Sequence, residues 1–500
     1  MNWELIQIPE PTLGFRYNQA LADPRDGLSV FGPCDSDAES HPRNISYGAI
    51  GTQAGLDLLE NFAQRVQREI ISGKDDPSRR LWVPFPGFEA AFESRFPEAA
   101  TRRAILDAQE LTTLTSNLDP NKRAYSVVQK YFDAIRQLKS FDEPMGVIFC
   151  VVPDIVWRNC RPKSRLAEGI GPRVTEDERR ERARGQVDLF ETYDVEPYQY
   201  SVDFRRQLKA RSMQFEIPIQ IVRESTLELT DEETRVRHKT PLSDRAWNIL
   251  TTIYYKCGGK PWKLNVARDG VCYVGFTYRR LDPKGDNRTA CCAAQMFLDD
   301  GDGVVIRGED GQWYSPKTNQ FHITRSAAKD LLTKVLTTYE ELGGKPLKEV
   351  FLHYRASISD TEYGGFKEAC PEGVKLIAVR VREERADIRL YREGKYPVPR
   401  GLLCKVNPTM GYLWSSGYKT RLGTYDGSET PVPLRISIER GDADLTQVAT
   451  DIFGLTKLNY NECRLGDATP VTITFSEDVG EILVSNPNVK NPSPKFKFYI

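Results

Sequence analysis

Net charge is what this sequence most plainly lacks: 69 lysines and arginines offset 70 aspartates and glutamates, leaving a formal charge of −1. A protein that coats nucleic acid indiscriminately carries a strongly basic balance, so any polyanion site here must be local. Histidine is scarce, with four in 500 residues, and the ten cysteines show no C-x-x-C spacing, Cys291 and Cys292 being the adjacent pair. Neither a zinc centre nor a disulfide framework follows from that pattern, and reduced, packed thiols are expected. Apolar runs such as Met145 to Val152 fall far short of the roughly 20 residues a bilayer needs, and no basic-then-apolar leader opens the chain. The expectation is a soluble, cytoplasmic protein with no membrane partner. No G-x-G-x-x-G or G-x-x-x-x-G-K-[ST] loop follows an expected strand, which removes the support for a metabolic α/β enzyme built on such a phosphate loop.

What is present begins with an alternation of strand and helix. SYGAIG is a short apolar run closed by glycine, and GLDLLENFAQRVQREI follows with Leu56, Leu58, Leu59, Phe62 and Val66 at helical spacing. A helix is expected around Tyr125 to Leu138. After it GVIFCVV is the continuous apolar run of a strand buried on both faces of a parallel sheet. Such units imply a doubly wound α/β domain. Charge dominates between Lys163 and Tyr200, with TEDERRERARGQ at the centre, and reads as a solvated insertion on that lobe.

The helix opening near Ser243 and Asp244 stops at Gly258 and Gly259, with Pro261 beyond, and this sets the lobe boundary. From Gly270 the texture turns to hairpins: GVCYVGFTY, then AAQMFLDDGDGVVIRG. The DDGDG run at Asp299 to Gly303 is a tight turn rather than a calcium loop, because position twelve counted from Asp300 is Gly311 and not glutamate. A helix (Ala327 to Leu342), strands (Val350 to Tyr354 and Leu376 to Val381) and a closing helix and strand are expected to follow. An RNase H-like domain accommodates that order. Basic residues gather near Arg205 to Arg211, Arg279 to Lys284 and Arg380 to Arg400, as groove linings or as solvated surface.

Asn248, Thr252 and Lys256 fall at i, i+4 and i+8 and share one helix face. Upstream, DFRRQLKA sets Arg205 and Lys209 one turn apart, and IPIQIV puts Gln220 in or just after an apolar strand. A terminal phosphate needs convergent cations together with neutral N–H donors, and Arg205, Lys209, Gln220 and Lys256 supply that mixture. By spacing alone, a basic pair on a surface helix is more often simply solvated.

A longer pattern decides between these readings. NILTTIYYKCGGKPWKL resembles the Argonaute segment in which an asparagine-led helix runs into K-x-G-G-x-P-W between the MID and PIWI domains. PEPTLGFRYNQALADPRDGLSVFGP and SYGAIGTQAGL are similar to the opening of short prokaryotic Argonautes. GVCYVGFTYRR, ACCAAQMFLDDGDG, GLTKLNYNECRLGDATPVTITFSEDVGEIL and FKFYI are similar to their PIWI half. The resemblance implies an α/β chain with a Rossmann-like MID domain followed by an RNase H-like PIWI domain. The expected divisions are an N-terminal segment (1–45), MID (46–257, with the charged insertion near 164–200) and PIWI (258–500). With only residues 1–45 ahead of SYGAIG, the short type is expected. Arg205, Lys209, Gln220, Asn248, Thr252 and Lys256 would then grip a guide's 5′ phosphate. In the family a divalent cation bridges that phosphate and the terminal carboxylate. This would give Mg2+ the ligands Ile500 and Gln220, against the plainer reading of a buried apolar chain end.

A nuclease of this fold cuts with two metal ions held between carboxylates. Slicing members carry an aspartate where VGFTY has Thr277 and another where FLHYRAS has Ala356 or a neighbour, leaving Glu477 near the last position. The resemblance therefore implies a PIWI half that binds without cutting. The alternative is an active guide-directed nuclease using displaced carboxylates such as Glu477, Asp478 or Asp360, with Glu362 also near Ala356 in sequence. His353, alone in an apolar strand, reads as packed rather than as a base. The implied partners are a guide RNA, a single-stranded target DNA and an effector subunit with an Argonaute-associated N-terminal-like (APAZ) region. A TIR-type NAD hydrolase is the favoured effector, with sirtuin-like or nuclease effectors as alternatives, in antiviral and plasmid defence. NAD would be consumed by that partner and not bound by this chain, and oligomerisation of the activated complex is left open.

Overall fold

The computed structural model describes residues 3–72, 81–162, 164, 166, 196–231, 240–265, 267–280, 289–297, 303–315, 320–385, 388–427, 429–486 and 493–500. Most of the charged insertion near 164–200, residues 299–302 of the Asp/Gly turn and the stretch Leu281 to Lys284 lie outside them.

The first sheet is parallel throughout, in the order Arg102–Ile105, Tyr47–Gly51, Val147–Val152, Ile219–Arg223. Its central strand shows why a continuous apolar run was needed. Val147, Phe149 and Val151 enter one core with helix Gln53–Arg65, while Ile148, Cys150 and Val152 enter another with helix Pro120–Lys139. Both helices start where their sequences provide caps. Thr52 Oγ1 accepts from Gly55 N at 3.1 Å, and Asp119 caps a helix with proline at its first position. Helix Phe204–Ser212 joins the second core through Phe204 and Leu208, and helix Leu242–Lys256 joins the first.

Helix Leu242–Lys256 ends as the glycines require. Gly258 adopts φ +101°, and a Cβ on Gly259 would lie 2.4 Å from the Tyr254 ring. Tyr254 in turn donates to Asp35 Oδ1 at 2.6 Å, tying the helix to the N-terminal segment.

The second sheet has nine strands, in the order Glu4–Gln7, Leu402–Asn407, Met410–Trp414, Leu434–Arg440, Lys375–Glu383, Glu349–Tyr354, Val271–Arg280, Thr289–Phe297, Gly303–Gln312. Val271–Arg280, Thr289–Phe297 and Gly303–Gln312 form an antiparallel meander, and Glu349–Tyr354 and Lys375–Glu383 add in parallel on its other side. This is the RNase H-like core. Helices Arg325–Glu341 and Asp360–Ala369 cover one face, and helices Leu445–Leu455 and Val471–Leu483 pack in the core on the other.

One expectation is corrected. A closing helix and strand were expected after Val381. Instead three antiparallel strands (Leu402–Asn407, Met410–Trp414 and Leu434–Arg440) precede two helices. The N-terminal segment pairs with the second half of the chain, Glu4–Gln7 with Leu402–Asn407 and Leu13 with Leu264. The basic stretch Arg380 to Arg400 is partly neutralised: Arg382 meets Glu384 at 2.9 Å, Arg385 meets Glu383 at 3.1 Å and Arg400 meets Glu10 at 2.9 Å.

Candidate functional site

The two sheets meet at a cleft of about 340 Å³. Arg205, Gln220, Asn248 and Thr252 line its first-lobe side, and Asn459, Asn461, Glu462 and Asp478 line the other. Arg205 sits in the first turn of helix Phe204–Ser212, whose start is capped by Asp203 accepting from Arg206 N at 3.1 Å. One turn on, Lys209 is 3% exposed and donates from Nζ to Tyr499 O at 3.0 Å, so it holds the chain end beside the cleft. Lys256, 1% exposed in the last turn of helix Leu242–Lys256, donates to Ile219 O and Gln220 Oε1, each at 2.8 Å.

These contacts hold both ammonium groups with neutral oxygens. Burial, reinforced by Arg205, pushes Lys256 down to about 7. Burial, then Arg205 and Lys256, pushes Lys209 well below the ordinary lysine range, opposed by Asp478. Desolvation and like charge thus act together, and an anion arriving between these groups relieves both.

Asn248 and Thr252 take a different place from the lysines. Asn248 Oδ1 accepts from Cys463 N at 2.8 Å, and Thr252 Oγ1 donates to Asn248 O at 2.8 Å and Tyr460 O at 3.1 Å. Both fasten the helix to the second lobe's segment 459–463. That segment, with Thr474 and Phe475, had not been singled out as cleft lining in the sequence, and Asp478 had been weighed only as a displaced carboxylate. No local spacing marks it, because it reaches the cleft only through lobe packing. An ion pair between Arg206 and Glu481 joins the two walls again. Ile500 is 2% exposed.

The candidate carboxylate positions lie at the centre of the nine-stranded sheet. The parallel register closes with His353 opposite Gly275; Thr277 lies two residues further along its strand, and Ala356 three residues beyond His353, just past the end of strand Glu349–Tyr354. Glu477 belongs to helix Val471–Leu483, and its side chain lies outside the described residues. His353 is buried, meets Thr472 Oγ1 at 2.8 Å and is driven down to about 3 by desolvation, which suits a packed neutral ring. Asp360 points outward to Arg440 at 2.6 Å. Glu362 is buried and accepts from Tyr278 Oη at 2.6 Å, His322 Nδ1 at 2.8 Å and Ser359 N at 2.8 Å, closing a capping box. Among the described residues, no group of three or more histidine, cysteine or acidic side chains is disposed to hold a metal ion. No described helix is long and apolar enough to cross a membrane.

A parallel Rossmann-like sheet joined through such a cleft to an RNase H-like sheet is an Argonaute-type α/β fold. Among solved structures, the chain is similar to the Argonaute of Clostridium butyricum bound to a guide DNA (5′ deoxycytidine) and a 19-mer target DNA. That match has a TM-score of 0.65 and 14% identity, and covers 100% of this chain and 55% of that one. It is also similar to Aa-Ago with externally bound siRNA (TM-score 0.57, 13% identity, 99% of this chain and 56% of that one). The A. aeolicus Argonaute matches with a TM-score of 0.56 at 12% identity, over 98% of this chain and 55% of that one. The chain spans about half the length of these structures. No family model matches the sequence, and no curated protein does.

Proposed function

We infer that the chain is a guide-directed nucleic-acid recognition subunit that holds a 5′-phosphorylated guide, RNA by resemblance, and pairs it with single-stranded target DNA. The observation that carries this reading is the convergence of Arg205, Gln220, Asn248 and Thr252 on one cleft, with Lys256 bonded to Gln220 and Lys209 alongside. Base pairing supplies the sequence information, and the protein contacts are to backbone phosphate. A guide laid down in stacked form loses less ordering entropy on meeting its target.

Mg2+ fits the donors by type. The Gln220 amide oxygen has two lone pairs, of which Lys256 uses one, and by the resemblance the Ile500 carboxylate would be the second ligand, next to the Tyr499 carbonyl that Lys209 holds. When bound there, the ion would neutralise charge between the guide phosphate and that carboxylate.

Target binding without cleavage is supported by the resemblance, which aligns Thr277 and Ala356 with the aspartates that hold two metals in slicing members. The chemistry then belongs to an associated effector subunit, a TIR-type NAD hydrolase by the sequence resemblance, in a defence role. Guide affinity compared between 5′-phosphate and 5′-hydroxyl oligonucleotides tests the pocket, since equal affinities remove the assignment. Purification without any bound nucleic acid would return the metabolic-enzyme reading.

A further inference from the structure

The strand Glu349–Tyr354 runs directly into Arg355, Ala356 and Ser357. On the neighbouring parallel strand, Arg380 is the register partner of Tyr354, so it stands beside that exit. Its guanidinium grips both neighbours of Ala356: Nε donates to Arg355 O at 3.1 Å and Nη1 to Ser357 Oγ at 3.0 Å. Where the nuclease arrangement sets a carboxylate, this chain frames a methyl group with an arginine. Arg355 is itself exposed at the same place.

One strand further out, Arg435 stands opposite Arg382 in antiparallel register, a like-charge pairing that costs stability unless an anion compensates it. Glu384 serves both, at 2.9 Å from Arg382 and 3.9 Å from Arg435. Glu439 lies 3.8 Å from Arg380 and also accepts from Ile358 N at 2.9 Å. Three guanidiniums, those of Arg380, Arg382 and Arg435, thus meet two carboxylates, in a protein whose total charge is −1. Burial, then the proximity of Arg382, depresses the Arg380 guanidinium below its ordinary value, with Glu439 opposing.

We propose that the exit of strand Glu349–Tyr354 is a cationic seat for one backbone phosphate of the paired target DNA, held by Arg380 and Arg355 with the Ser357 hydroxyl as a neutral donor. The inference rests on the guide-directed reading and adds to it the residues that hold the target at the strand ends. Guanidinium suits the task because its planar fork donates two parallel bonds to a phosphate and stays charged on partial burial. It fixes the strand's position without generating a nucleophile.

The test measures target affinity of the guide-loaded chain across a salt series, for Arg380→Gln, Arg355→Gln and the charge-keeping Arg380→Lys. Each glutamine variant is expected to lose about 5- to 20-fold in target affinity and to lower the slope of log affinity against log salt by about one, while Arg380→Lys keeps the slope. Guide affinity stays unchanged in all three. Target affinity and slope that are unaltered in both glutamine variants overturn the proposal. Arg355 is exposed, so its variant remains readable should loss of the two Arg380 bonds unsettle the fold. If the unsubstituted chain loads no guide, the guide-directed reading falls first. The same variants are then compared on bare single-stranded DNA at low salt, where a loss supports the seat and equal affinity overturns it.

Discussion

Lys256 donates from Nζ to Gln220 Oε1 across 2.8 Å, joining residues 36 positions apart, and through Ile219 O the same ammonium pins the end of helix Leu242–Lys256 to strand Ile219–Arg223. The bond aims the Gln220 amide and holds a buried cation at the cleft with no carboxylate in the pair. Lys256→Ala is therefore expected to weaken guide binding by about 1–3 kcal/mol, and Lys209→Ala by a similar amount. The decisive measurement is the ratio of affinities for 5′-phosphate and 5′-hydroxyl guides. It should shrink toward unity in both variants, and an unchanged ratio would remove these lysines from the pocket.

Asn248 and Thr252 are expected to behave differently, because their polar atoms are engaged with segment 459–463. Asn248→Ala leaves the Cys463 N–H without its acceptor and should cost about 1–3 kcal/mol of stability in urea unfolding, whether or not guide is present. Thr252→Val, which removes a hydroxyl bridging two carbonyls, should cost about 1 kcal/mol. Loss of guide affinity at full stability would make them phosphate ligands instead of struts between the lobes.

Much of the fold was legible where the hydrophobic pattern is strong and local. Val147–Val152 shows as an unbroken apolar run because both its faces are buried, and helix Leu242–Lys256 ends at the glycine that takes positive φ. Legibility failed where partners are remote. Glu4–Gln7 is mostly exposed and gains its strand identity from pairing with Leu402–Asn407, which no local window reveals. The strands Leu402–Asn407 and Leu434–Arg440 carry lysine, asparagine and arginine among their apolar residues, which weakened their signal. In the site, spacing set Asn248 and Thr252 on one helix face, while the grouping of Arg205 and Gln220 with them came from the family resemblance; Asn459 and Asn461 reach the cleft only through the packing of helix Val471–Leu483 and its leading loop.

Incubated with guide, complementary DNA and either magnesium or manganese, the chain is expected to yield no product cut at a fixed position opposite the guide. The physical ground is that Thr277 and Ala356 supply no anionic oxygen, and that Asp360 and Glu362 are engaged with Arg440 and with the capping box. An ordered product would restore the alternative of displaced carboxylates.

His353 sets an expectation for acid. Its folded value, driven to about 3 by burial, lies below the unfolded value near 6.5, so between those limits the unfolded chain binds the extra proton. Its contribution is complete above about pH 6.5 and is lost as pH falls toward 3. Carboxylates titrate in the same range, so the informative quantity is the difference from His353→Gln. The acid limb of that variant's melting profile should be flatter than the parent's, and parallel limbs would show that His353 is not the group responsible.

Gly275 lets strand Val271–Arg280 pack tightly on the helix that supplies part of the cleft lining: a Cβ there would lie 1.8 Å from Thr472 O, in the first turn of helix Val471–Leu483. Backbone cannot move aside as a flexible side chain can, so Gly275→Ala must displace the helix. A destabilisation of about 3 kcal/mol or more is expected, at the upper end for overpacking. The displaced helix carries Thr474, Phe475 and Asp478, so guide affinity should fall along with stability. Gly364→Ala is the control. It lies inside helix Asp360–Ala369, where the nearest atom to a new Cβ is 3.5 Å away on the Arg325 side chain, and helix propensity should make it neutral or stabilising by about 0.5–1 kcal/mol. If Gly275→Ala unfolds at the parent's urea midpoint, the strand and helix are not locked together as their contact implies, and the mechanical link between the cleft and the Thr277 position is lost with it.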